Sequence, residues 1–155
     1  MKTRIFIFAI IAIFLIGVTS CNKETSNESL RIKEFSYLGC KETKSPRASL
    51  HGEEYIEYIA IADGYLYIKH VNAVFNCCPD TIKADVSMEG NIITVDESET
   101  NPICDCICDY DLEYRLGPLA PNKEYILIFS RGAYVFAKLI INYTPSLEGK
   151  ITVRY

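Results

Sequence analysis

Cys104-Asp105-Cys106-Ile107-Cys108-Asp109-Tyr110-Asp111-Leu112-Glu113-Tyr114-Arg115-Leu116 sorts its residues by parity. The even positions hold cysteine, tyrosine and leucine, and all but one of the odd positions are charged. A period of two belongs to a strand with one face on a core and the other in water, because successive side chains point to opposite sides. An amphipathic helix would instead repeat its apolar residues every three or four positions. The stretch is therefore expected to be a strand whose inner face carries Cys104, Cys106 and Cys108.

The same period runs from Leu30 to the end of the chain. Segments 54–62 and 65–76 flank Asp63-Gly64, and segments 82–88 and 92–96 flank Glu89-Gly90-Asn91. Both pairs read as hairpins, since glycine supplies the positive φ that tight strand reversals require. Further strands are expected at 125–130, 134–143 and 151–155, about eight in all. No stretch after residue 20 has a helical stripe. The expectation is one all-β domain over 30–155, of a length that supports a real hydrophobic core.

The first 20 residues are different in kind. Lys2 and Arg4 precede an apolar run over 5–18 that is interrupted only by Gly17. The run is shorter than the roughly 20 apolar residues a spanning helix needs, so it reads as a secretory leader. It ends in Val18-Thr19-Ser20-Cys21, which resembles the lipobox of bacterial prolipoproteins. That resemblance covers 1–21 and implies cleavage after Ser20, with diacylglycerol on the Cys21 thiol and an acyl chain such as palmitate on the new amine. Residues 21–29 then form the lipidated end and a polar tether, NKETSNES after Cys21, with too little apolar surface to fold. Asn22 stands where an aspartate would resemble the inner-membrane retention signal of some bacteria. The expected location is thus the outer membrane, on an unassigned face.

Without the leader the chain has 14 basic and 20 acidic residues, a net charge of −6. This excludes nucleic acid as an expected partner.

Leu116-Gly117-Pro118-Leu119-Ala120-Pro121-Asn122-Lys123-Glu124-Tyr125 follows the alternating strand. It resembles the corner between the fifth and sixth strands of immunoglobulin-like and fibronectin type III domains. There a leucine and a proline precede a tyrosine whose ring enters the core while its hydroxyl bonds upstream backbone. Leu119 and Tyr125 occupy those positions. The resemblance spans about a dozen residues and implies an immunoglobulin-like antiparallel sandwich of about 7–8 strands. The tryptophan of many such domains is absent, because the chain has none.

Seven cysteines become six once Cys21 carries lipid. Outside the inner membrane thiols can oxidise, so Cys40, Cys77, Cys78, Cys104, Cys106 and Cys108 are expected to form disulfides. Cysteines two apart on a strand lie nearly 7 Å apart, too far to bridge one another. Each of Cys104, Cys106 and Cys108 is then expected to reach one of Cys40, Cys77 and Cys78, leaving six connectivities. The alternative is a thiolate site for Cu(I) or Zn²⁺ drawn from Cys77, Cys78, Cys104, Cys106 and Cys108.

Other chemistry is sparse. His51 and His70 are the two histidines, and no nucleophile-elbow, phosphate-loop or zinc-protease motif occurs. Asp80, Asp105, Asp109 and Asp111 read as a solvated strand face rather than a Ca²⁺ loop. Asp80-Thr81-Ile82 resembles the acceptor triad of a bacterial envelope O-glycosylation system, which would make Thr81 the acceptor. The functional expectation is a noncatalytic binding or structural module without a cofactor, recognising a protein or glycan. Strand edges and the loops at Asp63 and Glu89 are the places to look for that partner.

Overall fold

Alternation resolves into nine strands in the computed structural model, which describes residues 29–41, 52–103 and 105–153. They are β1 (Arg31–Lys41), β2 (Tyr55–Ile61), β3 (Tyr65–Asn76), β4 (Thr81–Glu89), β5 (Ile92–Thr100), β6 (Ile107–Gly117), β7 (Lys123–Arg131), β8 (Tyr134–Tyr143) and β9 (Glu148–Thr152). Two sheets result, β1-β6-β3-β2-β9 and β4-β5-β7-β8. The apolar face of each closes on the other, so the architecture is the expected all-β sandwich. All ladders are antiparallel except β5 with β7, which run parallel.

The core is the set of residues at inward parity. Ile56, Leu66, Ile68, Leu112, Tyr114 and Leu116 from the larger sheet meet Ile82, Ile93, Val95, Leu127 and Phe129 from the smaller. Burying each large apolar side chain stabilises the fold by about 1.5–3 kcal/mol. Asp63 and Gly64 both take positive φ (61° and 79°) in the 3₁₀ turn that joins β2 to β3. A side chain at Gly64 would meet the Leu119 carbonyl oxygen at 2.8 Å, so this turn needs its glycine.

Four strands depart from the sequence reading, β9 among them because it begins at Glu148 rather than at 151. β1 is the ninth strand and has no clean alternation, because it is a sheet edge broken twice in register against β6. Glu34 and Cys40 there have φ of 52° and 30°. β5 continues past Asp96 to Thr100 through a polar segment. β6 begins only at Ile107: Asp105 lies in a bend and Cys106 is exposed, so Cys106 is not on the inner face of the strand. From Cys108 onward the parity holds. Tyr110, Leu112, Tyr114 and Leu116 are buried.

β3 carries a bulge. Leu66, Ile68 and His70 face inward at even positions, then Val71, Ala73 and Phe75 at odd ones. The register against β6 shifts between His70 and Ala73, and Asn72 takes φ of 57°. A bulge of this kind re-aims the side chains beside it.

Candidate functional site

Residues 118–122 connect β6 to β7. Leu119 and Tyr125 are buried, and the Ala120 N–H donates to the Tyr125 hydroxyl at 2.9 Å. Thr81 is exposed at the first position of β4. Cys21, the leader, the tether up to residue 28, His51 and Cys104 lie outside the described residues. Among the described residues no helix is long and apolar enough to cross a membrane.

Cys40 pairs with Cys108 and Cys77 with Cys106, at Cα separations of 4.9 and 5.6 Å. Both bridges belong to the expected set, and Cys78 is disulfide-bonded as well. The second bridge is the next rung after Asn76 and Ile107, the last paired residues of β3 and β6, and the Cys77 N–H donates to the Cys106 carbonyl at 3.1 Å. The sulfurs of Cys40, Cys77 and Cys108 lie within 4.8 Å of one another. That trio is not the set expected from sequence, because Cys40 enters it from edge strand β1. Bridged sulfurs are not thiolate donors, so the cluster is a pair of abutting disulfides.

The acidic residues of β6 are engaged by the protein itself. Asp109 accepts the Gly52 N–H, and Asp111 pairs with Lys41 and accepts the Asn72 N–H.

His70 has an environment the sequence reading did not assign. It is fully buried, with Nδ1 2.6 Å from Glu97 Oε2 and Nε2 2.9 Å from Glu54 Oε1. The Tyr114 hydroxyl donates to Glu97 Oε1 at 2.8 Å, and the Phe136 ring stacks on the imidazole with centroids 5.2 Å apart. Burial alone would push the imidazole pKa down, but the Glu97 charge and the hydrogen bonds its ring donates to both carboxylates push it up to about 9. At neutral pH both ring nitrogens therefore carry protons and donate to the carboxylates. Burial and the same Glu97 charge hold the Tyr114 hydroxyl well above its ordinary pKa.

A groove of about 490 Å³ opens beside this network at one end of the sandwich. Glu53, Glu54, Val74, Ile107, Arg131 and Val153 line it. Arg131 closes β7, donates through Nη1 to the Val74 carbonyl of the opposite sheet at 2.6 Å, and lies 3.9 Å over the Phe75 ring. Its Nε and Nη2, together with Glu54 Oε2, are buried and have no hydrogen-bond partner among the described residues. Buried polar atoms are nearly always paired, so three unpaired ones on two residues that line the groove stand out. Glu54, Glu97 and Arg131 were not singled out from sequence, although Glu54 and Glu97 share the inward parity of Ile56 and of Ile93 and Val95.

Compared with protein families, with curated proteins and with solved structures, the chain finds no match.

Proposed function

We propose that the chain is a noncatalytic binding module of the bacterial cell envelope, held to the outer membrane by lipid on Cys21 after removal of residues 1–20. The observation that carries the binding role is the groove at the end of the sandwich, lined by Glu54 and Arg131 among its residues. A noncatalytic role is supported by His70, whose two ring nitrogens are occupied by carboxylates in a fully buried position. An imidazole that is protonated up to about pH 9 and sealed from solvent is a poor general base. Kinship with immunoglobulin-like domains is part of this proposal, supported by the bond between Ala120 and Tyr125. Crosslinking in intact cells tests the module reading by capturing a protein or glycan partner. If nothing is captured and deletion leaves the envelope unchanged, the reading fails.

A second reading is soft-metal handling, favoured by the convergence of the Cys40, Cys77 and Cys108 sulfurs. It requires both bridges to be reduced. Metal content and thiol count of protein isolated from the envelope without reductant separate the two readings. Bound copper or zinc with free thiols supports the second, and metal-free protein with no free thiols excludes it.

A further inference from the structure

The Cys40–Cys108 and Cys77–Cys106 bridges sit close enough to exchange partners. The Cys77 sulfur lies within 4.8 Å of both sulfurs of the Cys40–Cys108 bridge. A disulfide opens when a thiolate attacks one sulfur and expels the other, so exposure decides where an outside thiol enters and proximity decides where the expelled one goes. Cys106 is exposed, and entry there expels Cys77. The freed Cys77 has two disulfide sulfurs beside it, and the sheet order selects between them. Because β6 lies between β1 and β3, the α-carbons of Cys77 and Cys40 are roughly 10 Å apart, two strand spacings, beyond the reach of a bridge. Cys108 is on the adjacent strand opposite Phe75, which makes it the diagonal neighbour of Cys77 at about 7–8 Å. Cys77 follows the last residue of β3, and a strand end released from its own bridge opens locally at low cost, enough to close that remaining gap. Cys40 is exposed too, and entry there runs the same relay from the other side: Cys108 is expelled, attacks Cys77 and expels Cys106.

We propose that the two bridges form a thiol–disulfide exchange site for a small-molecule dithiol, in which reduction moves the bridge to Cys77–Cys108 and leaves Cys40 and Cys106 as thiols. One thiolate of the dithiol attacks the Cys106 sulfur and expels Cys77. The Cys77 thiolate attacks the Cys108 sulfur and expels Cys40. The second thiol of the reductant then displaces Cys106, closing the reductant into a cyclic disulfide. Two electrons and two protons pass to Cys40 and Cys106, and one of the two bridges is kept. Both new thiols belong to exposed residues, where the departing thiolate keeps its hydration. Edge strand β1 thereby loses its covalent tie to β6, while β3 and β6 stay joined. The exchange goes beyond the module reading and does not depend on it.

The test treats the purified full chain, isolated without reductant, with one molar equivalent of dithiothreitol, blocks thiols with N-ethylmaleimide before unfolding, and maps the peptides by mass spectrometry. Maleimide is expected on Cys40 and Cys106, at least tenfold above Cys77 and Cys108, together with a linked Cys77–Cys108 peptide. Any other distribution overturns the proposal, including maleimide on Cys77 with Cys106, where the bridge opens without transfer, and no label at all. Cys40→Ser supplies an arm that needs no reductant, since it leaves Cys108 as a thiol beside Cys77–Cys106. Transfer is expected to put at least tenfold more maleimide on Cys106 than on Cys108 in this variant, and a smaller ratio overturns the proposal.

Discussion

His70 loses water and gains two carboxylates when the chain folds, so its titration is coupled to stability. Its pKa rises from the ordinary histidine value of 6.5 to about 9. A raised pKa contributes stability that is fully present below the unfolded value and is lost as pH rises through the folded one. The window is therefore pH 6.5–9, and the contribution at stake is roughly 3 kcal/mol. Urea unfolding across that window is expected to show the wild type losing stability by this order. His70→Gln is expected to be flat over the same range and less stable at pH 6.5, since Glu54 and Glu97 remain buried without their cation. A wild type as flat as the variant would mean the imidazole is not charged in the fold. These three residues were legible in part: each sits at the parity of its core neighbours. What hid Glu97 was the run of polar residues after Val95, which makes the strand look finished at Asp96, four residues before its end at Thr100. Glu54 reads as the start of a strand, and nothing local to it announces a partner 16 positions away.

Bulges and bridges act on whole elements. Asn72 sits in the β3 bulge at φ 57°, accepts from Lys41 and donates its side-chain amide to the Glu53 carbonyl. Asparagine tolerates that backbone and valine does not, so Asn72→Val is expected to cost about 1–3 kcal/mol more than Asn72→Gly in urea unfolding. Equal losses would show that the side-chain bonds, not the backbone, are what Asn72 supplies. The two bridges span 68 and 29 positions, and loop closure in the unfolded chain makes each worth about 4 kcal/mol in the chain-entropy model. The double variant Cys40→Ser, Cys108→Ser is expected to lower the unfolding midpoint clearly. Unchanged unfolding would mean that β1 is already fixed by its ladder to β6. Of the six expected connectivities, only the one with Cys78 joined to Cys104 contains both bridges. Peptide mapping without reductant is expected to recover that third pair, and a free Cys78 or Cys104 would refute it. Register breaks explain what sequence left open here, because bulges in β1 bring Cys40 to Cys108 by a route that no two-residue period describes.

For the whole molecule, the all-β class followed from period two and from glycine at the reversals, while the sheet order did not. Parallel pairing of β5 with β7 joins strands whose intervening β6 lies in the other sheet, and such long-range partnering leaves no mark in local alternation. The groove was hidden for the same reason: Glu54, Val74, Ile107 and Arg131 come from four separate parts of the chain. Anchoring is a property of the opposite kind, because the proposed signal is entirely local to residues 1–21 and the sandwich contributes nothing to it. One acyl chain holds a protein to a bilayer only marginally, whereas two or three, at about 0.8 kcal/mol for each buried methylene, hold it firmly. Cys21→Ser removes the thiol that would carry the diacylglycerol while leaving the sandwich untouched. The wild type is expected to sediment with membranes and to take up a palmitate analogue; the variant is expected to do neither. Its urea unfolding midpoint is expected to stay within the error of the wild type, which separates loss of anchor from loss of fold. Membrane association and labelling that persist in Cys21→Ser would remove Cys21 as the attachment point and, with it, the placement of the groove beside the outer membrane.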